Sequence, residues 1–147
     1  MKTIGVVITG HGDFAVALLG AAELIVGPQV DVEAVCLDPQ DSPEIHAAAL
    51  QAALARVESG AGVLVLTDLF GGTPANTAAL ALGRGAIAEL CGVNLPMLLE
   101  VLTSRDESPL PTLAAAALRA GRTGIIDVRA MLDAHSSPAS RHETDRP

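Results

Sequence analysis

The sequence predicts an α/β fold, a doubly wound and mainly parallel sheet with helices on both faces. Three observations lead there. Short β-branched apolar runs recur along the chain and alternate with segments of helical spacing. Two of the runs are continuously apolar, as strands buried on both faces are. The intervening segments are long enough for the helical crossovers that parallel strands need.

The first strand is "TIGVVIT" (3–9), a continuous β-branched run. Asp13 then caps a helix in which Phe14, Ala17, Leu18, Ala21, Leu24 and Ile25 recur at three-to-four spacing, and Gly27-Pro28 stops it. Residues 30–37 alternate as a second strand. Residues 41–59 open with acids and Pro43 in the first turn and run on rich in alanine, a helix. "AGVLVLTD" (61–68) is a third buried strand, and in the "GGTP" that follows, Thr73-Pro74 reads as N-cap and first helical position. After a loop marked by Gly83 and Gly85 comes a fourth strand over 86–92. Two helices (95–105 and 110–121) and a fifth strand (123–131) complete a folded domain of residues 1–132. Residues 133–147 are polar and proline-bearing with nothing to bury, and read as a disordered tail.

Composition narrows the function. The 147 residues make one domain, with a core of Ala, Val, Leu and Ile because Phe14 and Phe70 are the only aromatics. With 17 acidic against 9 basic residues the formal charge is −8. Such a chain lacks the cationic patches and stacking rings of nucleic-acid binders, so nucleic acid is not an expected partner. Cys36 and Cys91 form no CxxC pair and read as buried, inert thiols. The first residues do not make a signal peptide, and no apolar run approaches a membrane span. A soluble, cytoplasmic protein is the expectation.

Right-handed crossovers favour a flavodoxin-like strand order of 2-1-3-4. In such sheets ligands bind beyond the carboxyl ends of the strands where the order reverses, here between strands one and three. His11, flanked by Gly10 and Gly12, follows strand one, and Asp68 ends strand three. The topology alone brings them together.

Three readings compete for this point. "GHGDFA" matches the dinucleotide fingerprint G-x-G-x-x-[G/A], with Glu33 or Asp38 as the later acid. Against it, an imidazole at the middle position crowds a pyrophosphate, and the chain has no room for a second substrate domain. Metal is disfavoured because His11, His46, His135 and His142 share no ligand spacing; His46 reads as a surface residue of an Ala-rich helix, and the last two fall in the solvated tail. Phosphoryl chemistry on His11 remains. A neutral imidazole is a usable nucleophile at cellular pH if a partner fixes its tautomer. A carboxylate accepting from Nδ1–H does this, and a carboxylate–imidazolium pair at 4 Å gains roughly 4 kcal/mol before desolvation. Asp68 is the candidate. Gly71 and Gly72 supply backbone N–H groups, Thr73 a hydroxyl and a helix end, and Gly12 a further N–H for the incoming phosphoryl group.

The segments "VVITGHGDFAVALLGAAELIVG", "VLVLTDLFGGTPANTAAL" and "GVNLPMLLEVL" also resemble the enzyme IIA domain of mannose/fructose-type sugar phosphotransferase systems. The resemblance runs from about residue 3 to 130. It implies a cytoplasmic phosphocarrier without cofactor or metal, in which His11 takes a phosphoryl group from phospho-HPr and passes it to an enzyme IIB partner. It implies that Asp68 supports His11 and that Thr73 is the hydroxyl residue after Gly-Gly. It further implies a homodimer whose last strand, "GIIDVRAM", is antiparallel and exchanged between subunits. Two departures surround the site: Ala75 stands where an aromatic is expected after "TP", and Pro39-Gln40-Asp41 where P-G-E is usual. The chain ends in a short polar tail, so the IIB partner is expected on a separate chain and the membrane only through permease subunits. A regulatory module, signalling by the same phosphohistidine, is the alternative, and nucleotide binding a remote one.

Overall fold

The computed structural model describes residues 2–136. Strands β1 (Gly5–His11), β2 (Val32–Leu37), β3 (Val63–Thr67) and β4 (Ile87–Cys91) form one all-parallel sheet in the order β2-β1-β3-β4. The order expected from the sequence is the order found. The helices are α1 (Phe14–Val26), α2 (Pro43–Val57), α3 (Thr73–Ala79), α4 (Leu95–Ser104), α5 (Leu110–Thr123) and α6 (Val128–Ser136).

The pleat of β1 divides the core in two. Val6 and Ile8 point to one face, where Leu98, Val101 and Leu113 of α4 and α5 pack with Ala15 and Ala22 of α1. Val7 points to the other, against Leu50, Ala53, Leu54 and Val57 of α2 and Ala78 of α3. Buried alanines let the helices lie close to the sheet in the near absence of aromatic rings. Each fully buried leucine contributes about 1.5–3 kcal/mol.

Local chemistry sets most helix starts. Ser42 Oγ accepts from the Ile45 N–H at 3.3 Å, with Pro43 in the first turn of α2. Asn94 Oδ1 accepts from the Met97 N–H at 3.0 Å and begins α4. Asp13 does stand at the N-cap of α1, but with ψ 8° instead of an extended backbone its side chain makes no cap bond. For α3 the cap is Gly72, and Thr73 is already the first helical residue.

The expected fifth strand is not formed. Residues 125–127 join no ladder, and the chain continues from Val128 as helix α6, none of whose residues is buried. Asp127 explains the difference: its Oδ1 accepts the Ala130 N–H at 3.0 Å, an N-cap signal hidden by the β-branched run before it. Arg129 and Asp133, an i,i+4 pair at 3.0 Å, support the helix. Local hydrogen bonds satisfy the backbone of this segment as helix. The predicted tail boundary at 132 therefore falls inside α6: residues 133–136 are helical, His135 among them and exposed. The rest of the tail, including His142, lies outside the described residues.

A second correction concerns His46, expected at the surface. It is 1 % exposed and turned inward from α2.

Candidate phosphoryl-acceptor site

The carboxyl ends of β1 and β3 lie side by side, with Thr9 paired to Thr67. That register carries His11, the last residue of β1, next to Asp68, the first residue after β3. One carboxylate oxygen, Oδ2 of Asp68, accepts twice from His11: from the backbone N–H at 2.9 Å and from ring Nδ1 at 2.8 Å. The proton is thus held on Nδ1, and Nε2 keeps its lone pair. The His11 side chain is 52 % exposed and that of Asp68 14 %, so the imidazole meets solvent while the carboxylate is largely covered. Burial pushes the Asp68 carboxyl up, but the hydrogen bonds and charge of His11 outweigh it and hold the group below its ordinary value. Asp68 stays ionised beside an imidazole that can become a cation.

Two glycines make this approach possible. A Cβ on Gly10 would stand 3.0 Å from Asp68 Oδ2 and 2.8 Å from Phe14 Cδ1, inside the space the carboxylate occupies. A Cβ on Gly72 would lie 3.0 Å from His11 Cε1 and 3.6 Å from Nε2, so the Gly-Gly turn passes directly beside the Cε1–Nε2 edge of the ring. Asn76 steadies that turn, donating from Nδ2 to the Gly71 carbonyl at 3.4 Å and from its backbone N–H to the Gly72 carbonyl at 2.9 Å. Gly12 differs from expectation: its N–H donates to the Leu37 carbonyl at 2.9 Å and is not available to an anion. That engagement also removes a donor that the dinucleotide reading of "GHGDFA" would need.

His11 and Thr73 line one cleft of about 470 Å³, with Asp38, Pro39, Asp41 and Pro43 on its far wall. The Pro39-Gln40-Asp41 departure therefore shapes the approach to the imidazole. Leu69 and Phe70, 60 % and 85 % exposed, stand at the turn that carries Asp68. A smaller cleft at the opposite ends of the strands is lined by Leu54, Glu58, Arg84 and Ile87 and holds no nucleophile. The two cysteines are half-buried and unpaired. Burial pushes the Cys91 thiol up, which keeps it protonated and unreactive. The sequence marks Gly10 only as a flank of His11 and does not single out Asn76; the asparagine four residues after Gly72 is the available sign of a braced turn.

A family model described as the fructose IIA component of the PTS system matches residues 5–118, which span both halves of this site. The chain belongs to that family. It is 35% identical over 139 residues to the mannose-specific EIIAB component of Escherichia coli K12, covering 93% of this chain and 43% of that protein. The chain thus spans less than half the length of that relative. It is 37% identical over 111 residues to the fructose-specific EIIA component of Bacillus subtilis, covering 75% and 76% of the two chains. The structure of the phosphotransferase system component EIIA from Streptococcus agalactiae superimposes with a TM-score of 0.80 at 33% identity, over 86% of this IIA chain and 98% of that one. No helix of this IIA chain, among the described residues, is long and apolar enough to cross a membrane.

Proposed function

We propose that this chain is a cytoplasmic phosphocarrier, the IIA component of a sugar phosphotransferase system. His11 takes a phosphoryl group from phospho-HPr and gives it to an enzyme IIB partner. The observation that carries the reading is the 2.8 Å contact from Nδ1 to Asp68, which leaves Nε2 unprotonated and exposed. Nε2 attacks the phosphorus of the donor's phosphohistidine; a new N–P bond forms as the donor's N–P bond breaks. The His11 ring becomes cationic and keeps its Nδ1 proton, and the Asp68 carboxylate stabilises that charge. The N–H groups of Gly71 and Gly72 and the hydroxyl of Thr73 receive the phosphoryl oxygens, and no metal or cofactor takes part. Transfer onward reverses the same steps.

The names of the relatives support the sugar system: mannose-specific in Escherichia coli and fructose-specific in Bacillus subtilis. A homodimer belongs to the same proposal. Ile125, Ile126, Val128 and Leu132 are exposed together at the end of the described chain, an apolar surface that a second subunit would cover.

Intact-mass spectrometry after incubation with phosphoenolpyruvate, enzyme I and HPr tests the function. The expected result is an acid-labile gain of one phosphoryl group, absent in His11→Ala. No gain while HPr itself is phosphorylated would sink the assignment.

A further inference from the structure

His46 is a buried imidazole that phosphoryl transfer at His11 leaves unused. It lies near the start of α2, 1 % exposed, with Nε2 3.2 Å from Oγ1 of the fully buried Thr9. Its Nδ1 is buried without a well-formed hydrogen bond among the described residues. Thr9 precedes His11 by two residues on β1, and the pleat turns both side chains toward the α2 face. Thr67, paired with Thr9 in the ladder, is buried beside the Cys91 thiol, with which its side chain interacts. A thin polar layer therefore separates the apolar core under α2 from the reactive ring.

The charged groups around His46 come from distinct elements. β1 presents His11, the loop before α2 presents Asp41, and β2 presents the Cys36 carbonyl. α3 and β3 contribute no titratable side chain, and Asp68 beyond β3 is engaged by His11. Burial disfavours a proton on His46 and is the largest influence; the Cys36 carbonyl and Asp41 favour one, and positive charge on His11 opposes it. His46 meets Thr9, and His11 projects from the same face of β1 two residues on, so the two rings are neighbours across that polar layer. A phosphoryl group adds a charge of about −1.5 to −2, which exceeds the single positive charge of the ring that carries it and leaves the His11 group net negative.

We infer that His46, through Thr9, is a positioning residue for the end of β1 and takes up a solvent proton when His11 is phosphorylated. The inference rests on His11 as the phosphoryl acceptor. By linkage, acidic pH then favours the phosphorylated form, since a proton and a phosphoryl group stabilise one another across the two rings.

Nuclear magnetic resonance titration of the His46 ring in the full chain tests the coupling. The midpoint is expected to rise from wild type to His11→Ala and again to His11→Glu. Equal midpoints in the Ala and Glu variants would overturn it. A second arm reads the phosphoryl equilibrium with phospho-HPr between about pH 5.5 and pH 8. Wild type is expected to shift toward the phosphorylated chain on acidification more than His46→Gln, which keeps a polar side chain but cannot titrate. Identical pH dependence would refute the proton uptake. The first arm involves no phosphoryl group, so a failure of phosphorylation itself would show separately.

Discussion

A single oxygen, Oδ2 of Asp68, holds both the backbone and the ring of His11, and the proposed transfer depends on it. Asp68→Asn keeps an acceptor of the same size and removes the charge that stabilises the imidazolium. Stopped transfer assays should show acceptance slowed roughly 10²–10⁴-fold with the fold intact; an unchanged rate would remove Asp68 from the mechanism. Gly10→Ala places a methyl where the carboxylate and Phe14 meet. It should cost about 1–3 kcal/mol in denaturant titrations and slow transfer as well. The pair itself was legible in the sequence, because two residues at the ends of neighbouring strands must meet whatever their side chains. The roles of Gly10 and His46 were not, since each depends on a contact with a residue far along the chain. A histidine in an alanine-rich helix carries no mark of the face it turns inward.

Among the elements, those with strong local signals formed as their residues dictate. Proline near the first turn and a capping side chain mark α2 and α4, and β1 and β3 are apolar on both faces because helices cover both. Asn94 does more than cap. Its Nδ2 also donates to the Gly121 carbonyl at 2.9 Å, tying α4 to α5. Asn94→Ala removes the cap and leaves a buried carbonyl unpaired, a loss of about 2 kcal/mol that thermal or urea unfolding would register. The fifth strand shows the opposite case. "TGIIDVRAM" has the composition of a strand, but a strand exists only where an edge accepts it. Within one chain, Asp127 and the Arg129–Asp133 pair supply closer partners, and helix results.

Over the whole molecule, stability should depend on pH with a sign set by groups whose pKa changes on folding. Burial depresses His46, so the unfolded chain binds that proton more tightly, and stability falls as pH drops from near 6.5 toward the folded value. Glu33, held down by its hydrogen bonds to Arg56, and Asp68, held down by His11 against its burial, add losses further into acid. Their contributions are complete above the unfolded carboxylate range and vanish as pH falls through the folded values. Glu89, pushed up by burial, acts in the other direction and is lost as pH rises through its folded value. Urea midpoints should therefore fall between about pH 7 and pH 5.5. His46→Gln should flatten that fall; a slope unchanged by the substitution would assign it elsewhere.

By itself the sequence determined the fold class, the strand order and the meeting of His11 with Asp68. Periodicity, crossover handedness and strand ends are properties of short segments and of the rules that join them. Only the tertiary structure decided that Gly12 gives its N–H to Leu37, that His46 lies beneath Thr9, and that the last segment is a helix. Each of those outcomes is a competition for one donor, one cavity or one edge. Such competitions are resolved by neighbours distant in sequence, after the chain has closed.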